Sequence, residues 1–168
     1  MDEGYGVYLG CDIAVEGDPA LIDEMRWHLG LADVAPARPT FSAAGESSSV
    51  PVTSLAEATP VASIRPHAEP HEAGTTTACR WALHWRAEFP AEALSAVTAL
   101  VSWLAGHCVT QGWIGFIDDG LADRPVARAP SIYFFVQDRR LYGGPPGTAP
   151  LPMESGYPPY LLPIGEAS

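Results

Sequence analysis

Residues 77–89 read TACRWALHWRAEF and alternate between apolar and polar side chains more regularly than any other part of the chain. Successive side chains of a β-strand point to opposite faces of its sheet, so this alternation predicts a strand with one dry and one wet face. The polar side comprises Arg80, His84, Arg86 and Glu88. A sheet that is wet on one face is typically antiparallel or mixed, and its helices gather on the dry face.

Residues 5–16 repeat the alternation and predict a long first strand, with Tyr8 and Asp12 on its outer side. Asp18 and Pro19 then form a typical helix start, and Gly30 is placed to end that helix. Trp27 lies off the apolar stripe of this helix. We therefore consider two roles for Trp27, partial cover by the following loop or an exposed aromatic side chain that binds a partner.

The second half of the chain predicts a helix that begins after Pro90 and ends at Gly112. Strands follow at 113–117 and 131–137, with a candidate return strand at 141–142. Residues 33–75 are rich in alanine, proline, serine and threonine, and we expect a mobile insertion there that contains one short strand. The two candidates for this strand are 50–55 and 61–64.

The predicted order is strand, helix, strand, strand, helix, strand, strand. This order indicates an α+β fold, specifically a ferredoxin-like βαββαβ sandwich with a mostly antiparallel sheet, two helices on one face and an extra C-terminal strand. We expect a single domain over residues 1–142, followed by a proline-rich tail over residues 143–168.

The amino-acid composition argues against several classes of function. The formal net charge of −11 argues against binding to nucleic acid, and no segment is apolar enough to predict a membrane span or a secretory signal. Three cysteines without close spacing favour free thiols and a cytoplasmic location. All nine basic residues are arginine, so no lysine can form a Schiff base or bind phosphate in a P-loop. This composition is typical of GC-rich bacterial or phage genomes.

One constellation could bind a ligand. If the first strand neighbours residues 77–89, then Tyr8 and Asp12 share the wet face with Arg80, His84 and Arg86. Asp12 could orient His84, and the arginines could bind an anion or a carboxylate. The alternative is an ordinary solvated face with cross-strand ion pairs.

The histidines and cysteines outside this constellation are weaker candidates for a functional site. His67 and His71 have a metal-ligand spacing only on a helix, and the prolines beside them favour an acidic linker instead. All three cysteines have positions typical of core residues, namely Cys11, Cys79 and Cys108. No catalytic, phosphate-binding or dinucleotide motif is present, so we expect neither a cofactor nor a metal, and an enzyme is not the favoured interpretation.

The aromatic spacing of residues 81–142, with Trp-Ile-Gly-Phe and Ile-Tyr-Phe strands around an acidic loop, resembles small bacterial proteins of toxin-immunity and prophage loci. The resemblance implies an acidic binding protein that neutralises a basic toxin or effector. Its partner-binding residues would then be Asp118, Asp119 and Asp123 on the acidic loop, together with Trp27. The alternatives are a small enzyme or ligand-binding domain that uses the wet face, and a phage or virion accessory protein.

Overall fold

The structure is a computed structural model of the 168-residue chain. It describes residues 4–14, 19–37, 40–43, 46–47, 51–57, 59–66, 80–118, 130–144 and 151–152. These residues form an α+β fold with an antiparallel sheet and two helices, as predicted. None of the helices within these ranges is long and apolar enough to cross a membrane.

The elements follow one another along the chain with these bounds. The strands are β1 (Gly4–Ala14), β2 (Ser42–Ala43), β3 (Glu46–Ser47), β4 (Val61–Pro66), β5 (Arg80–Pro90), β6 (Gly112–Asp118), β7 (Pro130–Gln137), β8 (Arg140–Gly144) and β9 (Leu151–Pro152). The α-helices are α1 (Pro19–His28) and α2 (Leu94–Ala105), and there are 3-10 turns at Val52–Leu55 and Ala91–Ala93.

The main sheet has the strand order β4-β5-β1-β6-β7-β8-β9, and its neighbouring strands are antiparallel. The two segments with the clearest alternation are neighbours at its centre, since β1 and β5 pair from Gly4 opposite Pro90 to Ala14 opposite Arg80. The short strands β2 and β3 form a separate hairpin. The mostly antiparallel sheet predicted from the sequence is therefore confirmed.

One hydrophobic core joins the inner face of the sheet to both helices. Buried and exposed residues alternate along β5, so that Trp85 is buried while its neighbours His84 and Arg86 are exposed. The inner side chains of the two central strands are Tyr5, Val7, Leu9, Cys11, Ile13, Leu83, Trp85, Ala87 and Phe89. The opposite face of these strands carries the candidate ligand-binding residues.

The second helix ends earlier than the sequence predicted. Helix α2 stops at Ala105, seven residues before Gly112, because the chain after it pairs with β1. The N–H of Ala14 donates to the carbonyl oxygen of His107 at 3.0 Å, and the N–H of Val109 donates to that of Asp12 at 2.8 Å. Gly112, with a φ of 100°, instead begins β6.

Residues 33–75 contribute more to the domain than an insertion would. The candidate strand at 61–64 is present as β4, whereas 50–55 contains a 3-10 turn instead of a strand. Within the described ranges, Phe41, Val52 and Ile64 of this segment are buried in the core. The remainder of the segment, from residue 67 onward, lies outside the described residues, as do most of residues 143–168.

Candidate functional site

A groove of about 680 Å³ lies on the outer face of the sheet. Strands β1, β4, β5 and β6 all contribute to its walls and floor. The charged and aromatic side chains at its outer surface are Tyr8, Arg65, His84, Arg86 and Trp113. A volume of this size is within the range of small-molecule sites, which is roughly 300–1,000 Å³.

The groove exists because a glycine occupies an outward position at the centre of the sheet. Gly10 lies opposite His84 in the β1–β5 pair, and it has no side chain to fill the space above β1. A Cβ atom added to Gly10 would lie 3.3 Å from Nδ1 of His84. The pairing of β1 with β6 extends only as far as Leu9 opposite Gly115, and β6 has a register shift at this point. The strands therefore diverge beside Gly10 and widen the groove.

Stacked aromatic rings form one wall of the groove. The rings of Tyr8 and Phe116 stack with their centroids 4.6 Å apart, and Phe116 stacks in turn with Trp113 at 6.2 Å. At the other end of this column, the guanidinium carbon of Arg86 lies 5.0 Å from the centroid of the Tyr8 ring. These contacts restrict the side chains of Arg86, Tyr8 and Trp113, so the wall is largely formed before any ligand binds.

The charge of the groove is opposite in sign to that of the whole chain. Arg65 and Arg86 both line it and are both exposed, and so is His84, which lies on β5 opposite Gly10 of β1. Among the described residues that line the groove, none is an aspartate or a glutamate. This local excess of cations occurs in a protein with a formal net charge of −11.

The structure brings only some of the residues of the predicted ligand-binding face together. Tyr8, His84 and Arg86 come together at the groove, with Tyr8 directly opposite Arg86. Asp12 and Arg80 are on the same face but farther along β1 and β5, where Asp12 is opposite Ala82. Neither residue lines the groove, although the backbone N–H of Asp12 donates to Oγ1 of Thr110 at 2.8 Å.

Asp118 is not on an exposed loop as the sequence predicted. Strand β6 includes Asp118, whose side chain is buried and accepts a hydrogen bond from the N–H of Gly6 at 2.9 Å through Oδ1. Gly6 lacks a side chain, which leaves room for this carboxylate on the outer face of β1. The other two predicted partner-binding carboxylates, Asp119 and Asp123, lie outside the described residues.

Trp27 is also buried, with 4% of its surface exposed, so the expectation of an exposed partner-binding aromatic is wrong. The apolar stripe suggested a single buried side of α1, but Glu24, Met25, Trp27 and His28 are all buried. Helix α1 is therefore covered on more than one side. Of the two roles considered for Trp27, partial cover by the following loop is the one compatible with its burial.

The buried side of α1 holds an ionisable pair that sequence reasoning missed. Nε2 of His28 lies 4.0 Å from Oε1 of Glu24, and burial lowers the pKa of His28 from 6.5 to about 4. The Glu24 carboxylate accepts hydrogen bonds from the N–H groups of Thr40 and Phe41 at 2.7 and 2.8 Å. The Glu24 carboxylate therefore attaches the chain after α1 to the helix. The i,i+4 spacing of Glu24 and His28 was the available signal.

The thiol of Cys11, in β1, interacts with the thiol of Cys108, which follows α2. Cys11 and Cys108 are free and buried, and Sγ of Cys108 lies 3.7 Å from the carbonyl oxygen of Thr110. The interaction between the two thiols raises the pKa of Cys11, which burial raises further, and lowers the pKa of Cys108. Both are core residues, as predicted, while Cys79 lies outside the described residues.

One feature of the sequence indicates open space on the outer face of β1. Gly6 and Gly10 alternate with apolar residues in β1, so two outward positions near its centre carry no side chain. Arg65 and Trp113 could not be added from pattern alone, because they reach the groove through the pairing of β4 with β5 and of β6 with β1.

Comparisons of the chain with protein-family models, with curated proteins and with solved structures find no match. The function of the protein is therefore inferred from the geometry of the groove.

Proposed function

We propose that this protein is a binding module that takes a small organic anion in the groove on the outer sheet face. The observation that carries the proposal is the local charge: Arg65 and Arg86 line the groove beside His84, without an acidic side chain among its described lining residues. This interpretation corresponds to the ligand-binding alternative considered for the wet face.

Electrostatics support an anion at this position. A guanidinium group can donate two parallel hydrogen bonds to a carboxylate or a phosphate, and it remains charged at any physiological pH. A chain of net charge −11 repels anions over most of its surface, so a site for one needs cations concentrated locally. The groove has this property, since Arg65 and Arg86 line it without an acidic side chain among its described lining residues.

Calorimetric titration with organic phosphates and carboxylates, each paired with a neutral analogue of similar shape, tests the proposal. We expect the anions to bind and their neutral partners not to bind. Changing Arg65 and Arg86 together to Gln should weaken anion binding at least about tenfold, because hydrogen bonds to charged groups contribute roughly 1.5–3 kcal/mol each.

The matched control is Arg26→Gln, which changes the net charge in the same direction at a position on α1 beside Trp81. Anion binding should survive this substitution. Equal losses in Arg26→Gln and in the groove variants would indicate a general charge effect, and binding of the neutral analogues would also contradict the proposal.

We also propose that the fold is ferredoxin-like at its centre. The order β4-β5-β1-β6, with α1 after β1 and α2 after β5, supports this assignment. Strands β7 and β8 would then extend the sheet beyond the four-stranded motif, on the β6 side. In this arrangement the groove occupies the sheet face opposite the core.

A second candidate function is the acidic neutraliser of a basic toxin, which the net charge of −11 favours. The burial of Asp118 and Trp27 leaves Asp119 and Asp123 as its candidate contacts. Such a protein would act in the cytoplasm, in keeping with the free thiols of Cys11 and Cys108. Co-expression with the product of a neighbouring toxin gene should then rescue growth, and Asp119→Asn with Asp123→Asn should reduce the rescue.

A further inference from the structure

We infer that the ligand of the groove is a small molecule that carries a planar ring as well as its anionic group, and that the ring stacks on Trp113. This inference depends on the proposed anion site and specifies its substrate class. All five tryptophans of the chain fall within the described residues, and Trp113 is the exposed one, with 53% of its surface accessible. Exposed tryptophan at the edge of a groove is a common way to bind flat rings.

Trp113 is held in position for this role. Its ring is 6.2 Å from that of Phe116 with an angle of 19° between the planes, and Phe116 is stacked on Tyr8 in the same orientation. The register shift between Trp113 and Gly115 places Trp113 on the outer face, opposite Phe135. A ring that is already oriented loses little conformational entropy when a ligand stacks on it.

The distance between the charges and Trp113 sets a lower limit on ligand size. Arg86 is on β5 and Trp113 is on β6, with β1 between them, so the backbones of the two strands are at least about 10 Å apart at the usual strand spacing. A single phosphate or acetate cannot contact both residues, and it would leave most of the 680 Å³ groove unfilled. A ligand with a ring at one end and an anionic group at the other spans this distance.

The whole-chain charge favours a small molecule over a polymer. A nucleic acid strand would extend beyond the groove across a protein of formal net charge −11, where each further phosphate is repelled. The basic side chains that a ligand confined to the groove meets are Arg65, His84 and Arg86, and no acidic side chain is among the described lining residues. The ring and its anionic group are therefore expected in one compact molecule.

The test compares phenyl phosphate, cyclohexyl phosphate and methyl phosphate by calorimetric titration of the full chain. We expect phenyl phosphate to bind at least about tenfold more tightly than the other two phosphates. Benzoate and acetate form a second pair that shows whether the anionic group is preferred as a carboxylate or as a phosphate. The advantage of the ring should disappear in Trp113→Leu and largely persist in Trp113→Phe, which retains a stacking face.

The two proposals fail in different ways. Equal affinity for phenyl and methyl phosphate, or for phenyl and cyclohexyl phosphate, would overturn the ring inference and leave the anion site intact. A preference for phenyl phosphate that survives in Trp113→Leu would overturn it as well. If none of these anions binds, the anion site itself is refuted and the ring inference fails with it. Near-ultraviolet circular dichroism of each variant checks that the fold is retained.

Discussion

Two glycines that line the groove differ in the space available for a side chain. A Cβ atom on Gly10 would approach only the ring of His84, at 3.3 and 3.6 Å, and this exposed side chain can move. A Cβ atom on Gly115 would overlap the backbone carbonyl oxygen of Tyr8, where the two strands approach each other closely. Gly10 therefore provides space for a ligand, whereas Gly115 is needed for the sheet to form.

Gly10→Val should remove anion binding and change the free energy of unfolding by less than about 1 kcal/mol. The new side chain fills the groove floor, while a β-branched residue is well tolerated in a strand. Gly115→Ala should instead destabilise the protein by about 1–3 kcal/mol, since backbone atoms must move to accept it. Urea denaturation measures the change in stability, and calorimetric titration measures anion binding. A Gly10→Val variant that binds anions as tightly as the wild type would contradict the placement of the site.

His28 is a buried imidazole in an aromatic setting. Its ring lies 4.8 Å from those of Trp27 and Phe41, and 5.9 Å from that of Trp103. Neither ring nitrogen has a hydrogen-bond partner within the described part of the chain. Burial disfavours the charged form and lowers the pKa to about 4, despite an opposing contribution from the Glu24 carboxylate.

The stability of the protein should therefore fall as the pH falls through the range between the two pKa values of His28. The unfolded chain takes up a proton near pH 6.5, whereas the folded chain does so only near pH 4, so protons favour unfolding in this interval. Between pH 7 and pH 5 the loss from His28 amounts to about 2 kcal/mol. Urea denaturation of His28→Leu across the same range should show a shallower pH dependence. Parallel curves for the two proteins would refute this role of His28.

At the scale of the element, β5 combines the core and the groove in one strand. Trp85 has 2% of its surface exposed and packs against Phe89, with a centroid distance of 5.7 Å. Its indole nitrogen Nε1 is buried without a hydrogen-bond partner among the described residues. Arg86, the next residue, is exposed on the groove side. Adjacent substitutions should thus affect different properties.

Trp85→Ala should cost about 3–5 kcal/mol of stability, because it removes a large side chain from a packed core. Trp85→Phe should cost much less, since it retains a ring and removes a buried N–H group that lacks a partner. Arg86→Ala should change the free energy of unfolding by less than about 1 kcal/mol, the scale of an exposed cation–π contact. Chemical denaturation of the three variants provides the comparison, and similar costs for Trp85→Ala and Arg86→Ala would contradict the assigned faces.

Features encoded by neighbouring residues could be predicted from the sequence, whereas features that depend on contacts between distant parts of the chain could not. Alternation predicted both faces of β1 and β5, because strand periodicity is encoded in consecutive residues. The end of α2 and the burial of Asp118 depend on contacts with β1, which lies about a hundred residues away. The position of Trp113 depends on the register shift in the pairing of β6 with β7. The groove itself results from several strands at once. His84 and Arg86 could be predicted to share its face, but the contribution of Arg65 and the shape of the groove could not.

At the scale of the whole molecule, the distribution of charge links stability to function. The chain carries 20 acidic residues against nine arginines, so its compact state is subject to net self-repulsion at neutral pH. The groove is a local exception, with Arg65 and Arg86 on its outer side. Salt should therefore affect folding and anion binding in opposite directions, since screening weakens repulsion and attraction alike.

Raising sodium chloride from about 10 mM to about 150 mM should increase the melting temperature by about 2–4 °C, which corresponds to about 1 kcal/mol for a chain of this size. Chloride could also stabilise the fold by occupying the groove, and Gly10→Val separates the two causes because its groove is filled. Equal increases in the wild type and in Gly10→Val would assign the effect to screening of self-repulsion. Over the same interval, phenyl phosphate should bind the wild type more weakly as salt is added. A melting temperature that stays constant or falls as salt is added would show that self-repulsion does not limit the stability of this protein.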